Sequence, residues 1–207
     1  MPSSPFTIGI LVFDDVEELD FIGPLEVFGV AKENGAPLKT VLVASTHAEL
    51  KAHYGLTFKP EATFASCPPL DLLIVPGGPG ARGHVRHDGR TLDFIKAQKG
   101  EVASVCTGAL ILAAAHLLDG KRATTHRNRL DLLAEYTAVQ VERESRLVFD
   151  GRIATSAGIT AGIDLALAIV TRHWGVQLAE RVAAVLEWDE AGEWNAALVA
   201  SDLPSVR

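Results

Sequence analysis

Four short, largely apolar segments limit the folds that are open to this chain. They cover residues 6–13 (FTIGILVF), 39–45 (KTVLVAS), 71–75 (DLLIV) and 101–105 (EVASV). Segments of this kind are typical of parallel strands that are covered on both faces of a sheet. Helical patterns follow the first strand, where Pro24 suits the first turn of a helix, and continue over 91–99, 107–119, 128–136, 160–174 and 176–187.

This alternation of strands and helices predicts one doubly wound α/β domain that spans residues 1–207. The core is expected over about residues 6–187, with a weakly patterned tail over 188–207. In such a fold, ligands bind at the carboxyl ends of the strands. Chemically notable groups follow three of these ends: Asp20, the glycine-rich PGGPGARG segment, and Cys106.

Cys106 lies at the junction between the strand over 101–105 and the helix that Gly120 is expected to end. A side chain on a sharp strand-to-helix turn projects from the sheet edge, where the free N–H groups of the helix favour negative charge. The thiol is therefore expected to lean toward thiolate, and the N–H of Thr107 could bind an oxyanion. Most lone cysteines are small buried hydrophobic residues, so the junction alone leaves both interpretations open.

The other candidate residues have simple structural interpretations beside the functional ones. The glycine-rich segment could present bare N–H groups to a ligand or form only a tight turn, and it lacks the ending of a phosphate loop. His126 could orient or protonate a group near Cys106, or fill a polar niche. Cys67, beside two prolines, is interpreted as structural. The acidic residues between 14 and 18 favour a solvated loop.

Charge and composition argue against several function classes. A net charge of −7 without a basic stripe disfavours nucleic acid binding. The apolar runs fall short of the roughly 18 residues that a membrane span needs, and the N-terminal residues lack a signal-peptide pattern. With two cysteines in all, the chain suits a reducing cytoplasm. Its histidines and cysteines lack metal-ligand spacing, so neither a metal nor another cofactor is expected.

Four motifs, taken in order, resemble the ThiJ/PfpI (DJ-1) superfamily. They are ILVFDDVEELDFIGPLEVF, LLIVPGGPG, SVCTGALILAAAHLLDGKRATTH and TSAGITAGIDLALAIV. The similarity covers nearly everything from Phe6 to Glu187. It implies a flavodoxin-like (class I glutamine amidotransferase-like) sandwich, in which a mostly parallel central sheet has helices on both faces. It also implies a homodimer.

Two of these motifs are similar to those of the isonitrile hydratase branch, whose members convert an isonitrile and water into an N-substituted formamide. They are LDFIGP, which contains Asp20, and the Cys-Thr-Gly that begins at Cys106. The resemblance implies that Cys106 is the nucleophile, that Asp20 is the acid/base group, and that a small molecule is the substrate. Because an ionised Asp20 would repel a thiolate, the pair is expected to share one proton.

The resemblance also assigns the remaining pocket residues. The N–H of Gly78, next to Gly77, would form the anion-binding pair with that of Thr107, and Ile159 would border the pocket. Two other functions stay open: redox sensing or stress protection without dedicated turnover, and a glyoxalase-like or amidase-like reaction in which His126 takes part. Sensor domains of transcription regulators share these motifs but carry a DNA-binding domain, for which this chain is expected to end too soon.

Overall fold

The computed structural model of the chain describes residues 5–188. The strands lie at Phe6–Leu11 (β1), Leu38–Ala44 (β2), Leu50–Lys51 (β3), Thr57–Phe58 (β4), Ala62–Thr63 (β5), Leu72–Val75 (β6), Glu101–Ser104 (β7), Arg122–Ala123 (β8), Gln140–Val141 (β9), Leu147–Asp150 (β10) and Ile153–Ser156 (β11). The helices lie at Glu18–Glu33 (α1), Pro79–Arg82 (α2), Gly89–Lys96 (α3), Gly108–Ala114 (α4), Leu130–Ala134 (α5), Ala161–Trp174 (α6) and Val176–Val185 (α7). The tail predicted from residue 188 lies outside the described residues, apart from Trp188.

A seven-stranded sheet forms the centre of the molecule, in the order β10-β11-β7-β6-β1-β2-β5. Every neighbouring pair in it is parallel except β10 and β11, which form an antiparallel hairpin that turns at Gly151. The buried side chains of β1, β6 and β7 explain why these segments are apolar on both faces.

The helices cover the two faces of this sheet in separate groups. Helices α1, α6 and α7 contact one another, while α4 contacts α2, α3 and α5. The predicted α/β sandwich with a mostly parallel sheet is therefore confirmed. None of the helices in the described range is both long and apolar enough to cross a membrane.

Helix α1 begins earlier than predicted, which changes the position of Asp20. The helix starts at Glu18, so Asp20 lies in its first turn and Pro24 lies inside the helix. The N–H of Glu17 donates to the carbonyl of Gly77 at 3.0 Å and fixes this early start by a contact that is distant in sequence. Since Pro24 has no N–H, the Asp20 carbonyl cannot receive the usual helical hydrogen bond from it.

Helix α4 ends earlier than the prediction of residue 119. His116 adopts a left-handed φ of 59°, and its own N–H and that of Leu117 turn back onto the helix. His116 donates to the carbonyl of Ala113 at 2.9 Å and Leu117 to that of Leu112 at 3.0 Å. This is the pattern of a Schellman cap, with a histidine at the position where glycine is usual.

Candidate active site

The three sequence features meet at the carboxyl edge of the sheet, as the fold prediction requires. Cys106 follows β7, the Gly77–Gly78 turn follows β6, and Asp20 lies in the helix after β1. Cys106 has a left-handed φ of 55°, an unusual conformation for a residue with a side chain. Two bonds hold it: its N–H donates to the carbonyl of Ala157 at 3.1 Å, and Thr125 Oγ1 donates to its carbonyl at 2.7 Å.

Asp20 is fully buried and held by one hydrogen bond. Its Oδ2 accepts the N–H of Gly77 at 2.9 Å. Its Oδ1 has no partner among residues 5–188 at the distance and angle of a hydrogen bond. The carboxyl group and the Cys106 thiol are nevertheless close enough for each to shift the pKa of the other. Oδ1 is therefore the oxygen that remains for the thiol and for a reacting molecule.

Gly77 is the residue that lets the backbone approach so closely. A Cβ at this position would lie 2.5 Å from the N of Thr107 and 2.8 Å from Asp20 Oδ2. Both distances are shorter than any normal contact, so only glycine places its N–H against the Asp20 carboxylate here.

The pKa values of the pair do not agree with the predicted thiolate. Burial raises the pKa of Asp20 to about 7, against the effect of the Gly77 N–H, which favours the ionised form. Burial and the Asp20 charge also raise the pKa of the Cys106 thiol above its ordinary value, although hydrogen bonds from Thr107 oppose the shift. The prediction of a resting thiolate is wrong, because desolvation of the sulfur outweighs the N-terminus of the short α4. Both shifts favour the protonated forms, so the Asp20–Cys106 pair holds at least one proton near neutral pH.

The two N–H groups that were predicted to bind an anion already donate to acceptors within the protein. The N–H of Gly78 donates to Thr107 Oγ1 at 3.0 Å, and the N–H of Thr107 is directed to the Cys106 sulfur. A developing anion would reach the Gly78 N–H only after the Thr107 hydroxyl rotates away. The hydroxyl itself is a further possible donor to that anion.

A pocket of about 220 Å³ opens above the thiol. Its lining includes Cys106 and three more predicted residues: Gly78, His126 and Ile159. Asp20 does not line the pocket, since it is fully buried. Six other residues complete the lining, and no sequence motif had indicated a place in the pocket for them: Glu17, His53, Tyr54, Arg82, Asn128 and Arg129.

His126 lies in the pocket wall and is held by its own turn. Its Nδ1 accepts the N–H of Asn128 at 3.2 Å. Its ring packs on Gly158, where a Cβ would lie 2.0 Å from Cδ2. Burial and the charges of Arg129 and Arg127 lower its pKa, so the imidazole is neutral at pH 7. Among the described residues no hydrogen bond joins it to Cys106, and a polar niche is the interpretation that this geometry favours.

A larger pocket of about 460 Å³ includes Thr125, Ala157 and three arginines. The described residues that line it contain no cysteine, histidine or buried carboxyl group, so the smaller pocket is the candidate active site. Nor do the described residues gather three or more histidine, cysteine, aspartate or glutamate side chains that could hold a metal ion.

Comparisons with known proteins point to the same group of proteins. Residues 7–172 match the DJ-1/PfpI family. The chain is 43% identical to a Pseudomonas putida protein named isonitrile hydratase, over 89% of this chain and 79% of that protein. The crystal structure of a ThiJ/PfpI family protein from Pseudomonas syringae superposes with a TM-score of 0.82 at 34% identity, covering 93% of this chain and 78% of that one. A transcriptional regulator of Pseudomonas aeruginosa is 28% identical over 90% of this chain, which spans 52% of the regulator.

Proposed function

This chain belongs to the DJ-1/PfpI family, and on that premise we propose that it is a hydratase that converts isonitriles into N-substituted formamides. The observation that supports this most directly is the pairing of the Cys106 thiol with a buried carboxyl group, Asp20, whose pKa is about 7. Such a group can accept and return a proton at neutral pH. The similarity to the Pseudomonas putida protein supports the choice of substrate class.

The first step adds the thiol to the terminal carbon of the isonitrile. Asp20 takes the proton of Cys106 as the sulfur–carbon bond forms, and passes this proton to the same carbon. The product is a thioimidate, in which the carbon holds sulfur, one hydrogen and a double bond to nitrogen. Because Asp20 and Cys106 exchange one proton, two adjacent anions never have to form.

The second step is attack by water on the thioimidate carbon. Asp20 accepts one proton from the water and delivers it to nitrogen. The remaining hydroxyl proton passes by way of Asp20 to sulfur as the carbon–sulfur bond breaks and the carbonyl forms. Together the two steps convert isonitrile and water into formamide and restore the thiol. The covalent thioimidate divides the hydration into two easier steps.

The raised pKa of Cys106 weighs against redox sensing as the main function. Peroxide reacts with thiolates, and sensor cysteines combine a low pKa with solvent access. Cys106 is only 4% exposed and its pKa is shifted upward. In the proposed reaction the thiol needs to lose its proton only as it attacks, so the same shift is compatible with catalysis.

The test is to measure formamide production from a small panel of isonitriles, beside methylglyoxal as a substrate for the glyoxalase alternative. We expect formamide from the isonitriles, no conversion of methylglyoxal, and loss of activity in Cys106→Ala. Cys67→Ala is the matched control, since Cys67 is the other free thiol and lies outside the pocket. Conversion of methylglyoxal alone would replace this proposal with the glyoxalase function.

A further inference from the structure

The pocket above Cys106 contains more positive than negative groups, although the chain has a net charge of −7. The His126 imidazole in its lining is neutral at pH 7, so the positive charge comes from two guanidinium groups, Arg82 and Arg129. Against these stands one lining carboxyl group, Glu17, with Asp20 buried beneath.

Arg82 is fixed on the side of the pocket formed by the glycine-rich segment. It ends α2, and its N–H donates to the carbonyl of Gly78 at 3.3 Å. The same helix is tied to the acidic segment, because the N–H of Gly80 donates to the carbonyl of Asp15 at 3.0 Å. Within residues 5–188 the Arg82 guanidinium makes no ion pair, but its charge lowers the pKa of Glu17, Asp20 and His126.

Arg129 approaches the pocket from the turn that holds His126. Its N–H donates to the carbonyl of His126 at 2.7 Å, and its Nη1 donates to the carbonyl of Asn128 at 3.2 Å. One of its five guanidinium N–H donors is used in this way, and the other four meet no acceptor within residues 5–188 and can bind a ligand.

The negative groups offset these arginines only in part. Burial raises the pKa of Glu17, although the charges of His53 and Arg82 oppose the shift. Asp20 ionises only near pH 7 and lies beneath the thiol rather than in the pocket wall, which leaves one lining carboxyl group, Glu17, against two guanidinium groups. The local charge that a ligand meets is therefore set mainly by the two guanidinium groups.

From this arrangement we infer that the pocket selects isonitriles that carry an anionic group, such as a carboxylate, which Arg82 and Arg129 bind. The inference rests on the proposed function, because it names the substrate class of the same site. A guanidinium binds a carboxylate through two parallel hydrogen bonds, which fixes orientation as well as charge. Ile159, which also lines the pocket, offers apolar contact for the part of the substrate between the carboxylate and the isonitrile carbon.

The kinetic test compares 4-isocyanobenzoate with 4-isocyanobenzamide, which are similar in size and differ in charge. We expect kcat/KM to be about tenfold or more higher for the carboxylate, the effect of about one hydrogen bond between charged groups. This preference should fall toward one in Arg82→Gln. Arg181→Gln is the matched control, because Arg181 is an exposed residue of α7 outside the pocket. Hydration of both substrates without a preference would overturn the inference and leave the proposed function standing.

A second test does not depend on hydratase activity. Iodoacetate and iodoacetamide are alkylating reagents of similar size, and the ratio of their rates at a thiol reports the local charge while the thiolate fraction cancels. We expect this ratio to be several-fold higher at Cys106 than at Cys67 of the same molecule, and to fall in Arg82→Gln. An equal or lower ratio at Cys106 would overturn the inference. A higher ratio in a protein that hydrates no isonitrile would instead contradict the proposed function alone.

Discussion

At the scale of single residues, the environment of Asp20 favours chemistry at the expense of stability. A carboxyl group that is fully buried and bonded through one oxygen ionises only near pH 7. An ordinary surface aspartate is ionised well below that pH and could not return a proton so readily.

The first prediction concerns the pH dependence of the proposed reaction. Below pH 7 the Asp20–Cys106 pair holds two protons, and Asp20 cannot accept the thiol proton. We expect kcat/KM to rise with pH and to level off above an apparent pKa of about 7. The profile should be measured on the wild-type enzyme between pH 5 and 8.5. A profile that is flat over this range would exclude Asp20 as the base.

The second prediction concerns stability. The pKa of Asp20 is about 7 in the folded chain, against 3.8 as its ordinary value, so between these pH values the unfolded chain binds fewer protons. Stability contributed by this group is thus present at low pH and lost as pH rises toward 7. Asp20→Asn removes this loss, and we expect its Tm to exceed that of wild type by several degrees at pH 8 but by little at pH 4.

Activity of the same variant separates the two roles of the residue. Asp20→Asn should lower kcat by about 10²–10⁴-fold, the usual contribution of a general acid/base group, with KM little changed. A variant that was neither more stable at pH 8 nor slower would contradict the assignment of Asp20.

At the scale of elements, the turn after β6 sets the distance between the buried carboxyl group and the elbow. The N–H of Gly77 contacts Asp20, and that of Gly78 contacts Thr107. One loop therefore connects α1 to the start of α4, and any side chain at Gly77 would separate them.

The third prediction follows from this crowding. Gly77→Ala should remove activity and lower the free energy of unfolding by about 1–3 kcal/mol, the usual result of forcing atoms into a packed site. Gly29→Ala is the matched control, since Gly29 lies in α1 with no atom within 4 Å of an added Cβ. It should keep activity and stabilise the chain by about 0.5–1 kcal/mol. Equal unfolding curves for the two variants would contradict the crowding.

The strands could be predicted from the sequence because central parallel strands are apolar throughout, and this also placed Asp20, Gly78 and Cys106 at one edge. The acidic segment could not be predicted in the same way. Asp14 Oδ1 accepts the N–H of Lys51 at 2.9 Å, and Glu18 Oε1 accepts that of Tyr54 at 2.7 Å. Asp14 and Asp15 are exposed, as the predicted solvated loop requires, but the segment also holds the β3–β4 hairpin through contacts that no local pattern reveals.

The same limit explains the missed pocket residues. Arg82 lies within the glycine-rich PGGPGARG segment, so its place near the site was a usable signal. His53 and Tyr54 come from the hairpin and meet the pocket only through the contacts of the acidic segment. The pKa of Cys106 rises because several elements bury its thiol. The sequence indicated only the helix that follows the thiol, whose N-terminus favours the thiolate.

At the scale of the whole molecule, we propose a homodimer, as the family resemblance implies. Leu19, Tyr54 and Leu56 leave apolar surface exposed on and beside the start of α1, which is compatible with a partner. The fourth prediction is that sedimentation equilibrium at micromolar concentration gives twice the mass of the chain. A single monomeric species under these conditions would contradict it.

The bond between sulfur and substrate carbon is the central step of the proposed reaction, and rapid-quench mass spectrometry of Cys106 tests it most directly. Mixing the enzyme with an isonitrile and quenching within one turnover should give a Cys106 peptide heavier by the full mass of the substrate, since the thiol adds without loss of atoms. The adduct should decay as the formamide forms. Turnover without such an adduct, together with full activity in Cys106→Ala, would contradict the account.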